Sequence, residues 1–234
     1  MPARKTTPKK SLERCLSFDV GARNLSYCSL VRKDKKFLID SWDTVDIITK
    51  CGSKAKKAYS VHCNTLVKYL ITCLHEIFNP VLEDPSVDWN KTAIVIEEQP
   101  GRSLRMKVLS YAIVSYFETI SVARNLNIRI ETMSAKNKLI LCDKIGVPKE
   151  KPVKRKTTLN TNITAKQKTQ RKRNAIYRVN KWRGIEGCRM VLEQFYGDEE
   201  NENKTKFKKS KKKDDFADSL LQGLFYMGYE FSKK

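Results

Sequence analysis

The sequence contains no C-x-x-C pair, no Cys/His cluster and only two histidines, and these gaps remove whole classes of protein. Its seven cysteines (15, 28, 51, 63, 73, 142 and 188) are odd in number and widely spaced, so neither a disulfide framework nor a zinc site is expected. Cys15 and Cys28 fall in apolar, strand-like runs, and the set reads as reduced, mostly buried thiols of an intracellular protein. His62 and His75 sit on an expected amphipathic helix with no ligand partners in view. No apolar run approaches the roughly 18–20 residues that a bilayer span requires. Lipidation signals and a secretory h-region are also missing, so no membrane partner is expected. Acids are scarce: 26 Asp and Glu stand against 47 Lys and Arg.

That imbalance leaves a net charge of +21, which predicts a polyanionic partner, nucleic acid before all others. An anionic membrane surface would need a basic amphipathic helix, whereas the basic runs here lack apolar spacing. With 234 residues, 40% of them apolar, the chain can fill the core of a single large domain. The acid-free start, residues 1–11, reads as a disordered basic arm.

The chain is organised around L-S-F-D-V-G-A-R-N, residues 16–24. A short apolar run ends in an acid, Asp19, and then in Gly21, which is the pattern of a buried central strand. A carboxylate in such a strand is costly unless a metal ion or a basic side chain meets it. Gly21 leaves the backbone open to a ligand. Residues 12–20, 25–32 and 36–43 together predict an antiparallel three-strand meander, and residues 44–57 a loop. The period turns helical from Ala58 to Phe78, and Asn79-Pro80 is expected to stop that helix before a surface connection over 79–91. T-A-I-V-I-E, residues 92–97, is a second buried strand ending in an acid, Glu97, and a turn follows through Arg102. A helix over 103–124 has an apolar side so wide that it is expected to be either deeply buried or shared with a second chain, with Ile113, Phe117 and Ile120 as candidates for core burial or for that contact. A strand over 127–133 and a short helix over 134–144 come next.

Residues 149–183 hold eight lysines and five arginines against one acid, Glu150, with few apolar residues. Such a composition cannot close a core and reads as a mobile basic insertion. Tyr177 and Trp182, interleaved with arginines, favour nucleic-acid contact there. A helix over 184–196 and a polar, lysine-rich loop over 197–213 follow. In the last helix, opening D-D-F-A-D-S-L-L, Asp214 stands at the expected N-cap. Asp215 and Asp218 are i and i+3 and project from one side of the first turn. The helix dipole accounts for acids at that end, but not for a second acid facing the same way beside a block of lysines.

Two acids at strand ends and two on a helix can gather four carboxylates in one place. Carboxylates held that close repel one another unless divalent cations lie between them, and Mg²⁺ takes all-oxygen ligands of this kind. Two such ions activate water and steady the leaving oxygen of a phosphodiester. Metal-binding acids within a basic protein point to a nuclease.

The blocks S-F-D-V-G-A-R-N, V-I-E-E-Q-P and K-K-D-D-F-A-D-S-L-L resemble the three signature blocks of the RuvC-like Holliday junction resolvases. They occur in the family's order over about 200 residues. The look is closest to the branch of poxviruses and other large DNA viruses, with fungal mitochondrial resolvases as cousins. The resemblance implies an α/β, ribonuclease H-like fold with a mixed five-stranded sheet flanked by helices. It also implies a homodimer that makes paired, Mg²⁺-dependent nicks in four-way DNA junctions, with two ions per active site and Mn²⁺ able to substitute. Asp19, Glu97, Asp215 and Asp218 match the catalytic and metal-binding acids, with Glu98 one place out of register. Arg23, Arg102, Arg105, Lys107, Arg171, Lys172, Arg173, Arg178, Lys181, Arg183, Lys211 and Lys212 are the candidate DNA contacts. The viral branch implies an infected host cell; otherwise the sequence leaves the compartment open, the nucleus and the mitochondrion both being compatible. Competing readings are another ribonuclease H-like nuclease, acting on hybrids or as a transposase, and a branched-DNA-binding protein without catalysis.

Overall fold

Residues 12–34, 36–54, 60–99, 104–149 and 164–231 are described by a computed structural model of the protein. The expected N-terminal arm, Arg102 and residues 150–163 of the basic insertion lie outside them. Five strands, β1 (Arg14–Asp19), β2 (Leu25–Lys33), β3 (Lys36–Val45), β4 (Thr92–Glu97) and β5 (Arg129–Met133), form one mixed sheet in the order β3-β2-β1-β4-β5. The first three are the expected antiparallel meander, and β4 and β5 run parallel to β1.

Alternation along the central strands divides the core into two layers. Leu16, Phe18, Ile94 and Ile96 pack beneath α2 (Cys63–Glu83) and α3 (Leu104–Ala123). Cys15, Ala93 and Val95 face the opposite layer. That layer holds α4 (Lys136–Lys144), α5 (Ala165–Tyr196), α6 (Glu202–Lys209) and α7 (Lys213–Tyr226). The α7 face of the strands is lined with small residues, and α7 lies close against it. A Cβ at Gly223 would sit 2.8 Å from Leu30 and 3.1 Å from Ser17, so that approach requires glycine.

Several elements differ from expectation. Residues 47–50 within the expected loop are a short helix, α1 (Ile47–Lys50), because the Asp46 side chain accepts from the backbone N–H groups of Ile48 and Thr49. Helix α2 runs through Pro80 to Glu83. Phe78 and Leu82 are buried on either side of the proline, and Arg124 donates to the Leu82 carbonyl and to the Glu83 carboxylate at the helix end. The basic stretch is no loose insertion from Ala165 onward but the outer half of α5, capped by a Thr164–Gln167 capping box. The polar loop contains α6, whose single buried side chain, Phe207, stacks on Trp42. All seven cysteines are free. Among the described residues no helix is long and apolar enough to cross a membrane.

Candidate active site

Asp19 and Glu97 are the last residues of two neighbouring parallel strands, β1 and β4. Following the alternation of Cys15 with Ser17, and of Ala93 with Val95, both side chains emerge on the α7 face. Glu98 falls on the next step and is exposed, its N–H bonded to the Met133 carbonyl. Strand register therefore assigns Glu97, not Glu98, to the site. Asp214, Asp215 and Asp218 reach the same place from the first turns of α7. All five acids line one open cavity of about 740 Å³, together with the Val20–Asn24 loop, Lys138 of α4, and Tyr177, Asn180 and Lys181 of α5.

The cavity needs α7 to be fixed against the strand ends, and buried polar side chains do this. Gln222, one turn past Asp218 and 2% exposed, donates to the carbonyls of Phe18 and Val95 at 3.3 Å each. Trp42 donates its indole N–H to the Phe216 carbonyl at 3.1 Å, and the Ser26 and Ser219 hydroxyls meet at 2.9 Å. The bend after β1 is tight: a Cβ at Gly21 would lie 2.7 Å from the Asn24 carbonyl oxygen. The turn itself thus requires glycine, and Gly21 also lines the cavity.

Lys138, which the sequence reading did not single out, is the central cation. Its ammonium lies 3.1 Å from Glu97 and 2.5 Å from Asp218, with 14% of the side chain exposed. Burial alone pulls an ammonium pKa down, but Asp218 and Glu97 outweigh it and hold Lys138 above its usual value. Burial first, then the charges of Glu97 and Asp218, push the Asp19 carboxyl well above the carboxylate range, with Lys138 opposing. Burial also pushes Asp218 up to about 6, against Lys138. Asp215 is pushed up to about 6 by burial and then by Asp214. Asp214 is not the N-cap, a position held by Lys212; its carboxylate is ion-paired with Lys181.

The remaining basic candidates divide sharply. Arg171, Lys172, Arg173 and Arg178 are exposed on the outer half of α5, and Lys211 and Lys212 are exposed just before α7. Arg183 is not available for DNA: it is 6% exposed and bonds Asp143 at 2.6 Å, joining α5 to α4. Arg23 lines the cavity but is held by Asp46 at 2.6 Å. Arg105 donates to the Val61 carbonyl at 2.7 Å, and Lys107 is half-buried on α3.

Among the described residues no three acidic, histidine or cysteine side chains converge into a closed metal cage, and Lys138 stands between Glu97 and Asp218. The donor chemistry nonetheless suits an oxygen-seeking dication. Every acid in the cleft offers carboxylate oxygens, and Asp215 Oδ2 is buried with no hydrogen-bond partner. Raised carboxyl pKa values mark uncompensated negative charge that a cation would relieve.

The sheet order and the helices on its two faces define a ribonuclease H-like fold. Residues 15–231 match the family model described as mitochondrial resolvase Ydc2 / RNA splicing MRS1, and the chain belongs to that family. In structure it is similar to the yeast mitochondrial Holliday junction resolvase Ydc2, with a TM-score of 0.56 at 20% identity over 94% of this chain and 82% of that one. Fowlpox virus resolvase bound to Holliday junction DNA gives 0.48 at 16% identity over 92% and 96%. Thermus thermophilus RuvC gives 0.48 at 9% over 91% and 94%. A comparison of the sequence with curated proteins finds no match. The family shown is thus the mitochondrial one that the sequence reading placed as cousin to the viral branch.

Proposed function

We propose that this chain is a Mg²⁺-dependent endonuclease that resolves four-way DNA junctions by paired nicks. The observation that carries this is the meeting of Asp19, Glu97, Asp215 and Asp218 in one cleft, beneath a helix whose outer half carries lysines and arginines and no acid. Two Mg²⁺ ions bound by these acids would supply an activated water and steady the departing oxygen. The chain's own residues set the rest. Gln222 holds the acids of α7 against those of the strands. Lys138 neutralises Glu97 and Asp218 and sits where a phosphate oxygen can take up one of its protons' hydrogen bonds. Arg171, Lys172, Arg173 and Arg178 along α5, with Lys211 and Lys212 near α7, form two basic walls for the phosphate backbone.

The family description also includes an RNA-splicing protein. RNA binding alone would need the basic walls but not a cluster of raised carboxyls beneath them, so the cleft favours cutting. The deciding experiment presents wild-type protein with a synthetic four-way DNA junction, linear duplex, an RNA–DNA hybrid and structured RNA, with Mg²⁺ or with EDTA. Symmetric Mg²⁺-dependent nicks confined to the junction are expected. Tight binding to every substrate with no cutting would overturn the reading.

A further inference from the structure

Two side chains in the cleft have no part in the chemistry above. Tyr177 and Asn180, i and i+3 on α5, line the same cavity as the acids, and Tyr177 is 65% exposed. An exposed aromatic ring is ordinarily unremarked on a surface helix, but this one stands at the mouth of a carboxylate cleft.

Its position is fixed by what lies next to it. Lys181 pairs with Asp214, Arg183 bonds Asp143 at 2.6 Å, and the Arg183 carbonyl accepts from Cys142 Sγ at 3.5 Å. A Cβ at Gly184 would lie 3.5 Å from Asp218 Oδ1, so α5 passes directly over the acids. Tyr177 is one helical turn, about 6 Å of rise, from Lys181. A phosphate held at the carboxylates carries its base one sugar away, and Tyr177 and Asn180 line the same cavity. Every nucleobase has a π-face that an aromatic ring can cover, and a carboxamide offers both a donor and an acceptor to a base edge.

We propose that Tyr177 stacks on the nucleobase flanking the cut phosphate and that Asn180 hydrogen-bonds to the edge of that base. This turn of α5 then determines which sequence is cut. The inference rests on the nuclease reading. Stacking holds a base that must leave its helix for the phosphate to enter the cleft, so its loss slows cutting, whereas phosphate contacts elsewhere maintain affinity.

The test uses full-length wild type, Tyr177→Phe, Tyr177→Ala and Asn180→Ala, with helix content checked by circular dichroism. Junctions carrying 2-aminopurine at successive positions around the exchange point report stacking with Mg²⁺ omitted. Wild type and Tyr177→Phe are expected to change emission at one position, and Tyr177→Ala to abolish that change. Single-turnover nicking by Tyr177→Ala should fall about 10–100-fold while the junction Kd moves far less. Nick mapping on junctions that present all dinucleotides at the exchange point should show a preference that Asn180→Ala flattens. If wild type nicks and Tyr177→Ala matches it in emission and rate, this inference alone fails. If wild type binds but nicks no junction, the nuclease reading fails and takes this inference with it.

Discussion

Lys138 Nζ lies 3.1 Å from Glu97 Oε2, in a contact whose two side chains are only 14% and 12% exposed. Removing one partner of such a pair leaves the other charge buried alone. Lys138→Met should therefore lower the melting temperature of the metal-free protein at pH 8 and slow single-turnover nicking by about two decades or more. Lys138→Arg should recover stability better than rate, because the guanidinium keeps the charge but not the point geometry. A Met variant that cuts at the wild-type rate would show the ammonium to be structural only.

The acids should separate chemistry from binding. Asp19→Asn, Glu97→Gln, Asp215→Asn and Asp218→Asn are each expected to lose about three decades in cutting rate while gel-shift affinity holds or rises. Glu98→Gln should cut like wild type, since its side chain points away. Asp214→Asn should lose roughly tenfold, because it releases Lys181 from the cleft wall. Full activity in Asp218→Asn would mean the acids are wrongly assigned.

Gln222 is buried beneath the cleft, and it joins the helix of Asp218 to the strands of Asp19 and Glu97. Gln222→Leu removes both buried hydrogen bonds to the strand carbonyls and should destabilise the protein by about 1–3 kcal/mol. It should also raise the Mg²⁺ concentration needed for half-maximal nicking, a shift that simple loss of stability does not produce. Unchanged melting and unchanged metal dependence would make the amide idle.

Asp215 links the site to pH. Its folded pKa, about 6, lies above the ordinary carboxylate value, so the folded state holds its proton longer than the unfolded state does. Stability from this group is unaffected well below pH 4, falls as pH rises through the interval to 6, and stays lower above it. Metal-free Asp215→Asn should thus melt higher than wild type at pH 8 and equally at pH 3.5. Mg²⁺ should raise the wild-type melting temperature at pH 8 and raise that of the variant less. A variant that melts lower than wild type at pH 8 would contradict this.

Helix α3 carries the remaining proposal, a twofold pairing of chains. Of the contacts expected from the sequence, Ile113 and Phe117 are fully buried in the protomer's own core and Ile120 is partly buried against it. Leu104, Tyr111 and Val122 are instead 74%, 67% and 81% exposed. Their spacings of seven and eleven residues are close to whole numbers of turns and place them on one side. Tyr111→Asp with Val122→Asp should give monomers by light scattering and uncouple the two nicks. Wild type that is monomeric on and off DNA would remove the dimer.

Much of this was legible in the chain because burial writes a period. T-A-I-V-I-E and L-S-F-D have the length and apolar continuity of central strands, so their terminal acids could be located before any coordinates. Lys138 could not: nothing local distinguishes it from the many other lysines of the chain. Gln222 is equally silent, since its partners are carbonyls distant in sequence. The outer half of α5 is exposed on all sides and leaves no apolar period, so a helix there reads as loose chain. Phe207 is the single buried apolar side chain of α6, too little for a pattern. Asp214 was misread because acids at a helix start fit capping and ion pairing alike.

Helix α5 is one unbroken element of 32 residues, about 48 Å long, whose inner half is bolted over the acids and whose outer half bears the arginines. The two halves consequently share a rotational phase. Deleting a single residue near Ala175 would swing Arg171, Lys172 and Arg173 about 100° around the axis without touching the cleft. A DNA arm gripped by those arginines would then arrive out of alignment with the acids. The protein's reach and its cut site are geared together, and the gear ratio is the pitch of one helix.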